Sequence, residues 1–327
     1  MKSFRRFGLP SLSALLLVAL VAIGWGSINI IDALLMALLL LVVPLALTTA
    51  VTPHVTDRLL PVSTALAAVA VIVRAETERR NWIAIVLAGV WLLCTVAAAL
   101  AASLAWLGSD NPRFALRFLL DPAVRVFAVV GAAWLVFACA RGPWLGFGEP
   151  IVELTAVHFH VVGIGLVALA RQRLALAPTG SSEYRIAELA GWASLIGIPA
   201  VAIGHNTVGA VEFIGALIMT AAAWGVAAAM SLAATRFDGW HKNLLVLSAL
   251  APIVPMLLAL HYGLSRTNLI SPLSYRTIAS IHGSMNLFGF LGLGLLLAHH
   301  ERRQAEAGQA KVGQAKAWPS ESRPDKL

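Results

Sequence analysis

The chain alternates long apolar stretches with short polar ones, and a bilayer would set the lengths of the stretches. Ten apolar segments can be laid out, at roughly 9–26, 32–50, 59–73, 82–107, 123–140, 151–170, 186–204, 208–235, 243–263 and 277–298. Most hold about 20 residues, which as a helix rising 1.5 Å per residue crosses a hydrocarbon core of about 30 Å. The third is short and is the weakest of the ten. None shows the alternation of apolar and polar positions that a strand requires, so the pattern predicts an all-α, polytopic transmembrane helix bundle and no β-barrel. Residues 1–300 read as one transmembrane helical domain. The polar stretch 301–327 reads as a disordered cytoplasmic tail, with too little apolar surface to fold. The first apolar run follows Lys2, Arg5 and Arg6 and lacks a clean small-residue cleavage site, so it is expected to remain as a span.

Composition supports this layout and charge refines it. The chain is 59% hydrophobic and 12% charged, against about 25% charged for a soluble domain. A net charge of +8 could suit nucleic acid, but the basic residues lie between apolar runs and form no continuous patch. The expected partner is therefore the lipid bilayer, with no nucleic acid. Ten spans with the N-terminus inside put eighteen of the 24 lysines and arginines on the cytoplasmic side and six outside. That asymmetry is the positive-inside pattern and predicts a multi-pass membrane protein with both termini cytoplasmic. Arg74, Arg79 and Arg80 break the pattern by falling in an outer loop. Cys94 and Cys139 lie inside apolar runs without paired spacing, which argues against a disulfide framework or a cysteine metal site.

The chemistry gathers in the sixth stretch, Pro150–Ala170, which carries Glu153, Thr155, His158 and His160 toward its first end. Ionisable groups in a hydrocarbon span are costly; they normally face the protein interior and mark function. On a helix, Glu153 and His160 share one stripe, while Thr155, His158 and Gly165 share another, so two neighbouring helices are offered polar groups. In the last span, His282, Asn286 and Gly289 share a stripe at i, i+4 and i+7. The predicted topology puts these groups at one depth, in the outer half, with Glu212 one turn inside its span and His205, His261 and Asp32 near the outer surface. The primary candidates for binding a small solute or ion are Glu153, His158, His160, Glu212, His282 and Asn286. His205, His261 and Asp32 are secondary candidates that could equally be wetted interfacial residues. The uneventful alternative for His158 and His160 is a pair of neutral imidazoles hydrogen-bonded across helices.

The stretches LTAVHFHVVGIG (154–165) and HGSMNLFGF (282–290) resemble the two signature segments of the YndJ-like family of bacterial membrane proteins, and LVVPLAL (41–47) is similar to that family's early helix. The likeness covers roughly residues 30–298. It implies a polytopic membrane fold but brings no established biochemistry with it. The HFH pair is also similar to the haem-binding helix of haem-copper oxidases, yet the copper-ligating helix is missing.

Three functions fit these readings. The preferred one is a small-solute or ion transporter with a titratable His/Glu site opening outward, and no catalytic residue. The second is a haem- or metal-binding protein using His158, His160 and His282. The third is a non-catalytic scaffold or sensor whose polar cluster only holds helices together.

Overall fold

The computed structural model describes residues 29–48, 59–77, 80–108, 116–205, 207 and 209–317. Among these residues the structure is all helical, without strands, and eight helices are long and apolar enough to cross a membrane. In chain order they are α1 (Ile30–Leu47), α3 (Trp82–Leu107), α4 (Leu116–Ala140), α5 (Ile151–Leu176), α6 (Ser182–His205), α7 (Gly209–Ala234), α8 (Gly239–Ser265) and α9 (Arg276–Gln309). A shorter apolar helix, α2 (Leu60–Ala75), lies between the first two and corresponds to the weak third stretch. The expected first span, 9–26, lies outside the described residues.

Successive helices run antiparallel through short connections. The starts of the odd-numbered helices and the ends of the even-numbered ones therefore meet at one end of the bundle, the upper end. The helix starts follow from local chemistry: Asn29 caps α1 by accepting from the backbone N–H of Ile31 at 2.9 Å and of Asp32 at 3.0 Å. Asn81 caps α3 in the same way. α8 is interrupted at Ala251–Pro252, where proline supplies no N–H to the ladder.

Burial separates centre from periphery. α1 and α5 are enclosed on most of their circumference, whereas α3, α6 and α8 turn broad apolar faces outward. On α3 these include Ile83, Val86, Leu93, Leu100 and Leu104. In water such a surface would associate, and against lipid tails it is the expected exterior.

The three central helices share a departure from regular α geometry. Leu38–Val42 in α1, Phe159–Leu166 in α5, and Ala279–Gly283 with Met285–Gly292 in α9 are wound as wider π-helical turns. The widened parts of the three helices pack against one another. Gly165 permits that approach, because a Cβ there would stand 2.9 Å from Leu291 Cδ1 and 3.2 Å from Val42 Cγ1. Widened turns of this kind recur at functional sites.

α9 runs past residue 300, and its helix continues to Ala317. Glu301, the first residue of the polar stretch expected to stay structureless, is buried and accepts from Arg173 at 3.0 Å. The residues that follow it are rich in alanine and glutamine, with arginine and lysine among them, all good helix formers.

Candidate functional site

Two polar regions occupy the upper end, on different sides of α5. The first is an ionic knot. Arg74, in the last turn of α2, reaches Asp32 of α1 at 2.5 Å through Nη1 and Glu153 of α5 through Nη2, and its Nε donates to the backbone carbonyl of Ala138 at 3.2 Å. Arg141 donates at 2.8 Å to the carbonyl of Arg74 and pairs with Glu149 at 3.4 Å. Asp32 and Glu153 sit in first turns and Arg74 in a last turn, so each charge has the sign that the helix dipole favours. The carbonyls capped by the two arginines belong to helix ends, where they also accept from the backbone N–H of Arg141 and of Thr77 in the closing turns.

The second region is a cavity of about 340 Å³ lined by α1, α4, α5, α6, α7, α8 and α9. Its walls are chiefly apolar, with Thr155, His158, His205, Glu212, Tyr262, His282 and Asn286 as its polar members. That volume and make-up, mostly apolar with a few convergent polar groups, is the usual form of a small-molecule site. The cavity starts under the loop between α4 and α5, where Leu145 and Gly146 take positive φ values of 52° and 83° to turn the chain back. The turn holds Phe147 against His205, with ring centroids 5.4 Å apart, and against Trp134 at 6.3 Å. From Glu212 the cavity follows α7 to Ala223, eleven residues or roughly 16 Å deeper. Its inner end therefore lies near the middle of the bundle.

At the cavity mouth Glu212 joins three helix ends. It accepts from His205 Nδ1–H at 3.0 Å and from Arg266 Nε–H at 3.0 Å. The tight α6–α7 turn that brings His205 to Glu212 depends on Gly204, because a Cβ there would collide with the backbone of Glu212.

Deeper in, the geometry fixes the hydrogen positions. His282 Nδ1 stands 2.6 Å from the carbonyl of Pro255; a carbonyl only accepts, so Nδ1 carries the proton. In the neutral ring Nε2 is then the acceptor, and the Asn286 amide nitrogen donates to it at 3.4 Å. The same nitrogen faces the Met256 sulfur at 3.8 Å. Asn286 Oδ1 is buried with no hydrogen-bond partner, and so is His158 Nε2.

His160 has a different environment. Its Nδ1–H donates to the carbonyl of Ala156 at 2.8 Å, and its Nε2 accepts from Trp91 Nε1–H at 3.2 Å. The Trp91 ring stacks on it, and Gly131 of α4 leaves room for the imidazole, since a Cβ there would lie 2.8 Å from Nδ1.

The sequence-level candidates thus separate into three places. His158, His205, Glu212, His282 and Asn286 line one cavity; Asp32 and Glu153 belong to the ionic knot; His160 is locked between α3 and α4. His261 neighbours the cavity residue Tyr262 without lining the cavity itself, and its Nδ1 is buried and unpartnered. Glu153 and His160, although on one stripe, are two turns apart along the axis and each has its own partner.

A model of the family described as YndJ-like protein matches residues 33–290. The chain belongs to the YndJ-like family. The matched region contains both histidine-bearing stretches and all of the cavity lining except Leu291. Neither curated proteins nor solved structures give a match.

The haem or metal reading of this YndJ-like protein needs free ring nitrogens on His158, His160 and His282. Both nitrogens of His160 have protein partners, and those of His282 lie against Pro255 and Asn286. Among the described residues no group of three His, Cys, Asp or Glu is gathered as a metal site would require. Of the three histidines only His158 keeps an unpartnered ring nitrogen, so they do not form a joint donor set.

Sequence reasoning missed the arginines. Arg74 looked like a stray loop charge and is a buried hub. At the lower end, Arg171 bridges Asp121 and the α1 carbonyl of Ala46, Asp121 also pairs with Arg125, Arg173 holds Glu301, and Arg236 holds Glu183. The signal available was a basic residue at each apolar boundary; nothing in one sequence says which acid it meets.

Proposed function

We propose that this YndJ-like protein carries a small solute through the bacterial inner membrane by way of the upper cavity, with the upper end outside, both termini cytoplasmic and the segment 9–26 completing a ten-span topology. The observation that carries the reading is the cavity itself: it runs from the upper end to mid-bundle and stops where the three widened helices meet. Transporters bind at the bilayer midplane, beside helices whose regular winding is interrupted. α5 and α9 supply such winding, and α8 supplies a proline break. Below the cavity the path is closed by apolar packing and by the lower ion pairs, which suits a state open toward one side. Charge asymmetry supports the orientation, and the burial of Arg74 removes one of the residues that weighed against it.

The test is cysteine accessibility. In a chain with Cys94 and Cys139 replaced by serine, Ala223→Cys sits at the cavity floor. In oriented vesicles a transporter exposes this position to an impermeant thiol reagent from both sides as it alternates. Labelling from the upper side alone would favour the sensor reading, and labelling from neither side would remove the cavity as a route. Reporter fusions after Ala140 and at the C-terminus test the orientation: the first should report outside and the second inside.

A further inference from the structure

We infer that the cavity selects a neutral or singly positive molecule with an apolar body and a hydrogen-bond-donating head, and excludes anions. The inference rests on the cavity being a solute site, as proposed above, and adds the substrate class.

The deeper polar groups whose hydrogen positions the geometry fixes, Asn286 and Thr155, present acceptors; Trp134, an indole N–H donor, lines the upper part beside Phe147. Asn286 is the clearest case. Its amide nitrogen faces His282 Nε2 and the Met256 sulfur, both acceptors, so turning the amide over would set oxygen against two acceptors. The orientation is set in turn by His282, whose proton is held on Nδ1 by the Pro255 carbonyl. What remains is Asn286 Oδ1, an acceptor on a residue 5% exposed, with no partner. Thr155 commits its hydroxyl proton to the carbonyl of Ile151 at 2.7 Å and keeps only lone pairs. Glu212 at the mouth is a carboxylate, and His205 gives its Nδ1–H to it.

Cationic side chains point the same way. Among the described residues no lysine or arginine lines the cavity, and Arg266 approaches Glu212 from outside the lining. An anion entering this space would lose its hydration without meeting a cation, a cost that burial makes large. A molecule bearing N–H or O–H satisfies Asn286 Oδ1, and a protonated amine also finds the Glu212 carboxylate on its way in. His158 Nε2 can meet a second polar atom of either kind. The rest of the wall asks for hydrocarbon.

Four compounds of one size separate the possibilities: 2-phenylethylamine, 2-phenylethanol, phenylacetate and ethylbenzene. Each is titrated into the purified full chain in phosphatidylcholine nanodiscs, with unfolding followed by tryptophan fluorescence. The amine and the alcohol are expected to raise the melting temperature saturably, with phenylacetate giving no saturable shift and ethylbenzene binding about tenfold more weakly than the alcohol. Asn286→Leu, which keeps the branched shape and removes the acceptor, should weaken the amine and the alcohol about tenfold while leaving ethylbenzene unchanged or tighter. Phenylacetate or ethylbenzene binding as tightly as the amine would overturn the inference and leave the cavity reading intact. The same holds if Asn286→Leu leaves the amine unaffected. The ranking of the four on the unmodified chain decides the matter even if that variant fails to fold. No saturable shift with any of them would overturn both readings.

Discussion

The two sides of α5 are made from the same kinds of residue, yet the polar groups are completed on one side and left open on the other. Toward α2, α3 and α4, Glu153 meets Arg74, and His160 has both ring nitrogens bonded. Toward α7, α8 and α9, His158 Nε2 and Asn286 Oδ1 have no partner and face a cavity. Buried polar groups are ordinarily satisfied, so the completed side reads as structure and the open side as a place for something else. Residue type does not distinguish a structural histidine from a ligand-binding one here. The count of completed bonds does.

The largest expected effect falls on the completed side. Arg74 serves two buried carboxylates and one helix-end carbonyl, so Arg74→Leu strands Asp32 and Glu153 together in a site only a few per cent exposed. Breaking a buried ion pair by removing one partner costs about 3–5 kcal/mol. The variant should therefore melt far below the parent in nanodiscs, or fail to accumulate. Replacing Arg74, Asp32 and Glu153 together by leucine removes the uncompensated charge and should recover most of the loss. If the single variant melts like the parent, the knot is not structural and the contrast between the two sides disappears.

The spans were legible because their signal is local: run length and the absence of charge read directly off the chain. The i, i+4 relation of His282 and Asn286 was legible for the same reason, and the structure finds them in contact. The stripe shared by Glu153 and His160 was legible as well, but the two residues meet different partners. Glu153 looks across to Arg74, 79 positions away in sequence, and His160 to Trp91, 69 positions away. Pairings at that separation depend on which helices become neighbours, and local periodicity carries no such information. The widened turns were invisible too, since Leu38–Val42 consists of four leucines and a valine and has no residue that demands them.

A middle-sized effect tests the histidine that is complete. His160→Leu removes the acceptor for Trp91 Nε1–H, leaving a buried donor orphaned on a residue with no exposed surface. An unsatisfied buried donor costs about 1–3 kcal/mol. Pairing the change with Trp91→Phe removes the orphan and should return part of that loss, so the double variant should be less destabilised than the sum of the singles. Additive losses in this cycle would mean that the Trp91–His160 bond contributes nothing.

The smallest effect is expected from the neighbouring histidine, and it bears most directly on function. His158→Leu takes away a ring nitrogen that bonds to nothing in the protein, and the leucine gains contact with apolar cavity walls. No hydrogen bond to its Nε2 is lost, so the resting stability should stay within about 0.5 kcal/mol of the parent or rise slightly. That near-silence in the unliganded protein is what an uncommitted binding group predicts. Thermal unfolding of His158→Leu beside His160→Leu in the same nanodiscs measures the contrast between residues two positions apart. Should His158→Leu fall as far as His160→Leu, its ring carries structural weight. The open side of α5 would then be as complete as the other, and the cavity would lose one of its two unclaimed polar atoms.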